Sequence, residues 1–389
     1  MRLLVLSFYF APDLSAGSFR TTALVRALAA AAPHARIDVV TALPNRYRSF
    51  DVEAPEHEAH DNVQVRRFAL PEHASGMLDQ SRAFASFAAQ VLRHTKGRRY
   101  DLVYATSSRL MTAALGAFVA RRVGGRLYLD IRDIFVDTIR DVLPRSLATL
   151  AYPVFSLLER WTMDRADHIN LVSPGFAEYF RRRYPQRRLS FFTNGIDDEF
   201  VAAAAAPTPP RPGRSGPATI LYAGNLGEGQ GLHAVVPALA RALRGRARFV
   251  IIGDGGRREA LQAGVAGIDN VEIRAPVRRD ALIAAYRESD VLFLHLNDYE
   301  AFRKVLPSKL FEYAAMGKPI LAGVAGQAAD FIRSEIENAA VFPPCDAAQA
   351  VAAFDSLAMH DAPRPAFVKK FARSRIMAAM AGEILEVAA

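Results

Sequence analysis

The sequence has little cysteine and no long uninterrupted hydrophobic run. Its 389 residues include one cysteine, Cys345, which excludes an internal disulfide and, without metal-ligand spacing around it, argues against a structural zinc site. The richest apolar stretch, LATLAYPVFSLLERW, is interrupted by Pro153, Glu159 and Arg160, so we expect no transmembrane helix. The first residues, MRLLVLSFYFAPD, lack the length and cleavage site of a signal peptide and predict a buried strand. Together these absences are typical of the reducing cytoplasm.

A net charge of +9 and a pI of about 9.8 make the chain basic. Such a surface attracts anions, which include nucleic acid, acidic lipid headgroups and phosphorylated substrates. Because no nucleic-acid recognition motif with interleaved aromatic residues is present, we expect no nucleic-acid partner. The arginine clusters are equally typical of an ordinary solvated face.

Short apolar runs alternate with amphipathic stretches along most of the chain, which predicts an α/β protein with parallel strands joined by crossover helices. We predict a first doubly wound domain at residues 1–200 and a second at 218–364. Between them the sequence VAAAAAPTPPRPGRSGP, residues 201–217, is rich in proline and glycine and predicts a linker. Residues 365–389 are predicted to be helical.

The segment PSKLFEYAAMGKP carries a carboxylate on a short apolar helix. Ser308 is the predicted N-cap, followed by Lys309 and Leu310 in the first turn, where amide groups and positive charge suit a phosphate. Glu312 lies one turn further, close enough to accept hydrogen bonds from the ribose attached to that phosphate. A capping box would need the acid one position earlier. A role for Glu312 in the helix dipole alone remains open.

Two glycine-rich turns follow strands in the second half, in YAGNLGEGQGL and FVIIGDG. A backbone that must approach a pyrophosphate closely needs such glycines, although a tight bend needs them too. The residues predicted to line the nucleotide pocket here are Gly224, Asn225, Gly227, Gln230, Gly253 and Asp254.

Polar residues in the first half also follow predicted strands, where open α/β sheets bind ligands. In FYFAPDLSAGSFRTT, Gly17 and Ser18 lie between the first strand and helix, and Arg20 is placed to reach an anion. Ser18 is alternatively a simple helix cap. The strand LYLDI ends in polar side chains that suit either a crevice or a structural Asp–Arg pair, namely Asp130, Arg132 and Asp133.

The motifs YAGNLGEGQGL, FVIIGDG, LPSKLFEYAAMGKPIL and FFTNGIDDEF together resemble the GT-B glycosyltransferases, in particular the retaining family 4 enzymes of bacterial surface-polysaccharide and lipopolysaccharide assembly. The resemblance implies two Rossmann-like domains facing a cleft, with a helix at about 365–389 completing the first. It implies a nucleotide-diphosphate sugar donor, with UDP expected, bound by the second domain. The acceptor, a lipid-linked or other saccharide, would bind the first. No metal or cofactor is implied, and the transferred group would be a hexosyl or N-acetylhexosaminyl unit.

Position by position, Glu312 matches the family's ribose-binding glutamate and Gly17 matches the first-domain loop glycine near the donor phosphates. Asn194 and Gly195 match the turn before the linker.

The sequence departs from the family pattern at the donor phosphates. Asn225 and Gln230 stand where most members carry an arginine and a lysine, so we expect Lys309 to supply the charge, with Arg303 or Lys304 next. Lys304 also occupies the position of the family's first glutamate, and Glu300 is the proposed substitute.

Breaking a sugar–phosphate bond places negative charge on the departing diphosphate, which fixed dipoles and cations stabilise. The predicted catalytic residues are Arg132 and Asp133 at the sugar or acceptor, Lys309 at the diphosphate, and Glu300. Alternatives are a nucleotide-sugar 2-epimerase, which would use His233 or His295, and an inactive GT-B binding or scaffold protein.

The predicted helix GMLDQSRAFASFAAQVLRHTKGRR mixes basic residues with Phe84, Phe87 and Val91. This pattern suits an anionic membrane surface, although such helices more often cover a sheet. We therefore expect a cytoplasmic protein with peripheral contact at the inner face of the cytoplasmic membrane.

Overall fold

The computed structural model describes residues 1–13, 15–44, 54–71, 77–107, 110–137, 145–206 and 216–389. The chain divides into two compact units. The first unit comprises Met1–Thr193 with Arg373–Ala389, and the second comprises Asn194–Ala372. The boundary therefore falls a few residues before the one we predicted.

Eight strands form the sheet of the first unit. They are β1 (Arg2–Leu6), β2 (Arg36–Ala42), β3 (His57–His60), β4 (Val63–Phe68), β5 (Leu102–Thr106), β6 (Arg126–Ile131), β7 (His168–Leu171) and β8 (Arg188–Ser190). The order across the sheet is β3-β4-β2-β1-β5-β6-β7-β8. All neighbours pair in parallel except β3, which runs antiparallel to β4. The sequence did not reveal β3, because its HEAH residues are polar and lie at a mostly exposed edge.

Within the described residues, the helices of the first unit with both ends placed are α1 (Ala16–Ala31), α2 (Met77–His94), α3 (Leu110–Val123), α4 (Arg145–Met163), α5 (Ala177–Arg183) and, in the last residues, α14 (Arg373–Ala388). Helices α1 and α14 pack together against one face of the sheet. Helices α2, α3 and α4 follow one another on the opposite face, as right-handed crossovers require. In α2, the side chains of Phe84, Phe87 and Val91 are buried. These three residues pack towards the sheet and do not form a membrane-binding face.

The second unit contains a six-stranded parallel sheet in the order β11-β10-β9-β12-β13-β14. Its strands are β9 (Ala218–Ala223), β10 (Ala247–Ile252), β11 (Val271–Arg274), β12 (Val291–His295), β13 (Ile320–Gly323) and β14 (Ala339–Phe342). Its helices are α6 (Asp198–Ala205), α7 (Leu232–Ala242), α8 (Arg258–Gly264), α9 (Arg279–Glu288), α10 (Lys309–Ala315), α11 (Gln327–Glu335), α12 (Ala347–Ser356) and α13 (Pro365–Phe371).

The predicted linker at 201–217 differs from the structure at its start, because residues 201–205 complete α6 within the second unit. Residues 207–215 of the predicted linker lie outside the described residues. The helix predicted at about 365–389 is two helices, α13 in the second unit and α14 in the first. None of the described helices has the length and apolarity to cross a bilayer.

Candidate active site

The N-terminus of α10 lies against the end of β9 in the second unit. The ammonium group of Lys309 is 5.1 Å from the centre of the Tyr222 ring. It also occupies the space that a side chain at Gly224 would need, and Gly224 has a φ of 144°, so only glycine fits there without strain. The Tyr313 hydroxyl accepts a hydrogen bond from the Ala223 amide at 3.2 Å, which fixes α10 to the strand. Lys309 and Gly224, which were separately predicted to line the nucleotide pocket, therefore lie side by side.

Burial lowers the pKa of Lys309 from its ordinary value of 10.5 to about 8, and the negative charge of Glu312 partly offsets this decrease. An anion bound next to this ammonium group would stabilise its charged form, which burial disfavours. We call Lys309, Glu312 and Gly224 the donor cluster. In it, a desolvated cation that an anion would stabilise lies beside a glycine turn whose backbone a ligand can approach closely.

Glu312 is positioned by a partner that the sequence analysis missed. Its side chain is 14% exposed, and its Oε1 lies 3.8 Å from Nη2 of Arg279. Arg279 also forms an ion pair with Asp197 and stacks over the Phe200 ring at 5.2 Å. Arg279 follows the carboxyl end of β11, so the rule that identified the other site residues could have found it.

The start of α10 differs in detail from the prediction. Ser308 precedes the helix but has helical dihedral angles, and its side chain makes no capping hydrogen bond. The amides of Leu310 and Phe311 bond to the carbonyls of Pro307 and Ser308 at 3.2 Å, and the Leu310 side chain is fully buried. Because these two amides are occupied, more of the attraction for a phosphate must come from the charge of Lys309.

The two predicted glycine turns lie side by side at the ends of β9 and β10. The Asn225 side-chain amide donates to the Gln230 side chain at 2.7 Å, and the Gly227 amide donates to the same oxygen at 3.2 Å. The side chains of Asn225 and Gln230 therefore stabilise the turn through hydrogen bonds within it. The Asp254 carboxylate accepts from the Gly255 amide at 2.8 Å, whereas α8 begins after Arg257, so Asp254 is not the helix cap. At Gly253 a side chain would overlap the carbonyl of Gly224.

Glu300 and Lys304 lie on a 3₁₀ turn that spans Glu300–Lys304. The Glu300 carboxylate is 74% exposed and pairs with Arg303 at 3.2 Å. Lys304 is half-buried. The turn adjoins the first glycine turn, because the Phe302 ring packs against Gly229 and the Tyr299 hydroxyl donates to Glu228 at 2.7 Å. The catalytic role of Glu300 stays a prediction.

In the first unit, Arg132 lies beside the start of α1. A side chain at Gly17 would come within 2.6 Å of Nη1 of Arg132. Within the part of the chain that the structure describes, this nitrogen and the buried Ser18 hydroxyl have no hydrogen-bond partner. Burial lowers the pKa of the Arg132 guanidinium. Helix α1 is capped by Ser15, which accepts from the Ser18 amide at 3.1 Å, so Ser18 is not the cap.

Asp133 follows Arg132 and has an exposed side chain. Surrounding protein nevertheless raises its pKa to about 6, an effect that the neighbouring Arg132 charge partly offsets. Asp133 therefore changes its charge close to neutrality.

Arg20 and Asp130 form a structural ion pair and are unavailable to a ligand. Both side chains are at most 1% exposed, and Arg20 bonds both Asp130 oxygens at 2.8 and 2.9 Å. The guanidinium also donates to the carbonyls of Phe192 and Thr193 at 2.8 and 2.7 Å. Tyr104 donates to the same carboxylate at 2.9 Å. The expectation that Arg20 reaches an anion is wrong because its donors are consumed internally.

His295, a candidate base for the alternative epimerase reaction, is 1% exposed. Its Nδ1 bonds the Gln230 carbonyl at 2.7 Å and its Nε2 accepts from the Cys345 amide at 2.9 Å. Burial lowers its pKa to about 4. A neutral imidazole with both nitrogens occupied does not suit proton transfer on a sugar.

Among the described residues, no group of three or more His, Cys, Asp or Glu side chains is arranged to hold a metal ion. Independence from metal stays a prediction.

Comparison with known proteins identifies the family and the fold. The family described as "Glycosyl transferase 4-like domain" matches residues 17–195, and "Glycosyl transferases group 1" matches residues 217–360. Over 100 residues the chain is 37% identical to the "Putative colanic acid biosynthesis glycosyl transferase WcaI" of Escherichia coli (strain K12), a match that covers 25% of this chain and 24% of that protein.

Two solved structures are similar over nearly the whole chain. The α,α-trehalose 6-phosphate synthase of Burkholderia multivorans has a TM-score of 0.69 at 15% identity, covering 100% of this chain and 96% of the other. Anabaena HepE, solved in complex with UDP, has a TM-score of 0.64 at 15% identity, covering 99% and 100%. The fold prediction is confirmed, and the chain belongs to the glycosyltransferase 4-like family with a GT-B fold.

Proposed function

We propose that this glycosyltransferase moves a sugar, with retention of configuration, from a nucleotide-diphosphate donor to a lipid-linked or other saccharide acceptor in cell-surface polysaccharide synthesis. The observation that carries the proposal is the donor cluster, in which Lys309 is held at the Gly224 turn one helical turn from Glu312. The Anabaena structure with UDP supports a uridine donor. The curated relative's name supports a polysaccharide product.

In this proposal Lys309 faces the diphosphate and stabilises the negative charge that develops on it as the sugar–phosphate bond breaks. Glu312 accepts hydrogen bonds from the ribose hydroxyls, and Arg279 keeps its carboxylate in place. Because Asn225 and Gln230 are neutral and bonded to each other, Lys309 takes over the charge that the usual arginine and lysine supply.

The first unit would bind the acceptor. Arg132 offers an unpartnered buried nitrogen, within the described residues, to a phosphate or sugar oxygen. Asp133 in its charged form would accept a hydrogen bond from a sugar hydroxyl. A donor phosphate oxygen, rather than a dedicated protein base, would take the acceptor proton.

The proposal is tested by incubating the purified protein with a panel of UDP-, GDP- and ADP-sugars and a bacterial lipid extract. Release of the free nucleotide with a sugar-labelled lipid product is the expected result. Interconversion of the sugars without transfer would favour the epimerase, and binding without turnover would favour the scaffold protein. A thermal-shift screen of UDP, GDP and ADP would identify the base, since the preferred nucleotide should raise Tm most.

A further inference from the structure

The outer surface of α3 and α4 in the first unit exposes large apolar side chains. On α4, Val154 is 64% exposed and Leu157 is 70% exposed. On the adjacent helix α3, Phe118 is 43% exposed and Met111 is 38% exposed. Single exposed apolar residues are ordinary, but four on two neighbouring helices form a patch that water solvates poorly. We call these four residues the α3/α4 patch.

The spacing of these residues places them on the outward side of each helix. Val154 and Leu157 are three apart, and Met111 and Phe118 are seven apart, so each pair shares one helical face. Trp161 continues the α4 row four residues after Leu157 and is half-buried. The inward side of α4 carries the buried Glu159, whose carboxylate accepts hydrogen bonds from Tyr179 and Tyr184 at 2.6 and 2.7 Å.

Cations accompany the patch. The guanidinium of Arg165 lies 4.1 Å from the centre of the Trp161 ring, and that of Arg122 lies 5.9 Å from the Phe118 ring. The only charged residues of α3 are Arg121 and Arg122, both exposed. The neighbouring helix α2 adds further exposed cations on the same side of the sheet, Arg82, Arg93 and Lys96.

We propose that the α3/α4 patch binds an anionic lipid surface. Apolar side chains would enter the boundary between headgroups and acyl chains, Trp161 would lie at headgroup level, and the arginines would reach the lipid phosphates. A second copy of this chain is a poorer occupant, because a symmetric contact would bring arginines against arginines. This assignment differs from the sequence-based one, in which α2 supplied the apolar contact, and it does not depend on sugar transfer.

The test is co-sedimentation of the full-length protein with vesicles, without any donor sugar. Vesicles of phosphatidylglycerol and phosphatidylcholine in equal parts are compared with vesicles of phosphatidylcholine alone, at low and high salt. We expect binding to the anionic vesicles that weakens with salt. Leu157→Glu should lower the partition coefficient by about tenfold. Replacing Arg121 and Arg122 with glutamine should lower it roughly fivefold for each charge removed.

The matched control is Met359→Glu, which changes an exposed apolar residue (42%) of the second unit and should leave vesicle binding unchanged. Thermal melting and UDP binding are measured on every variant, so that a folding defect or a failure of the proposed function is recognised separately. The proposal is overturned if the wild-type protein ignores anionic vesicles or if Leu157→Glu and Met359→Glu bind them equally. It is also overturned if Leu157→Glu abolishes a dimer seen by analytical ultracentrifugation while vesicle binding persists.

Discussion

The charge on Lys309 should control nucleotide affinity, and its lowered pKa makes this measurable. The shift from 10.5 to about 8 corresponds to about 3 kcal/mol of penalty on the charged form in the free protein. A diphosphate near the ammonium group relieves that penalty and raises the pKa again. We therefore expect the nucleotide to bind the protonated lysine, with an affinity that falls as pH rises through about 8.

The magnitude follows from the fraction of protonated lysine in the free protein. Between about pH 7 and about pH 9 that fraction falls by about tenfold, so the Kd for UDP should rise by about tenfold, or 1.4 kcal/mol. The second ionisation of the terminal phosphate of UDP has a pKa of about 6, so the phosphate charge changes little over this range. Lys309→Ala should weaken UDP binding by about 1.5 to 3 kcal/mol, the net contribution of a hydrogen bond to a charged group. Lys309→Arg should retain affinity without the pH dependence.

Isothermal titration calorimetry from about pH 7 to about pH 9, repeated in two buffers of different ionisation enthalpy, measures both the affinity and the proton uptake. Glu312→Gln is an informative further variant. Because the Glu312 charge raises the pKa of Lys309, its loss should lower that pKa and move the fall in UDP affinity to lower pH. The reasoning is refuted if the wild-type Kd stays constant over this range, or if Lys309→Ala shows the same pH slope as the wild type.

Three further predictions concern other residues. If Asp133 acts as a charged acceptor, kcat/KM should rise as pH increases through about 6, and Asp133→Asn should remove that limb of the pH profile; an unchanged limb would exclude the role. Arg20→Ala should lower the free energy of unfolding by about 3 to 5 kcal/mol in urea titrations, whereas Arg26→Ala, at an exposed position of the same helix, should change it by less than about 0.5 kcal/mol. Gly224→Ala should displace the Lys309 ammonium and weaken UDP binding about as much as Lys309→Ala; calorimetry showing normal affinity would contradict the described contact.

The sequence predicted those parts of the molecule that depend on local pattern. The strand order of both units and most of their helices follow from apolar runs that alternate with amphipathic ones. Strand β3 was missed, because an exposed edge strand needs no apolar face. Helices α6 and α11 were also not predicted. Lys309 and Gly224 were assigned to the nucleotide pocket from local motifs, a helix start and a glycine-rich turn after a strand. Their contact, and the resulting pKa of Lys309, required the structure.

Long-range pairing is what the sequence did not reveal. Arg20 and Asp130 were each recognised as residues near strand ends, but 110 positions separate them, and nothing local indicates that they bond each other instead of a ligand. Arg279 follows a strand end and could have been listed as a site residue, but its contact with Glu312 is another long-range pair that the sequence does not indicate. In α2, amphipathicity alone could not distinguish a face that packs on a sheet from one that meets a membrane.

The central claim is that Glu312 accepts a hydrogen bond from the ribose of the donor. Its most direct test is a calorimetric cycle of UDP and 2′-deoxy-UDP binding to the wild type and Glu312→Ala. A hydrogen bond to a charged group contributes about 1.5 to 3 kcal/mol, so the wild type should prefer UDP by at least about tenfold. Glu312→Ala should bind both ligands equally, with its melting temperature close to that of the wild type. An equal preference for UDP in both proteins would contradict the account.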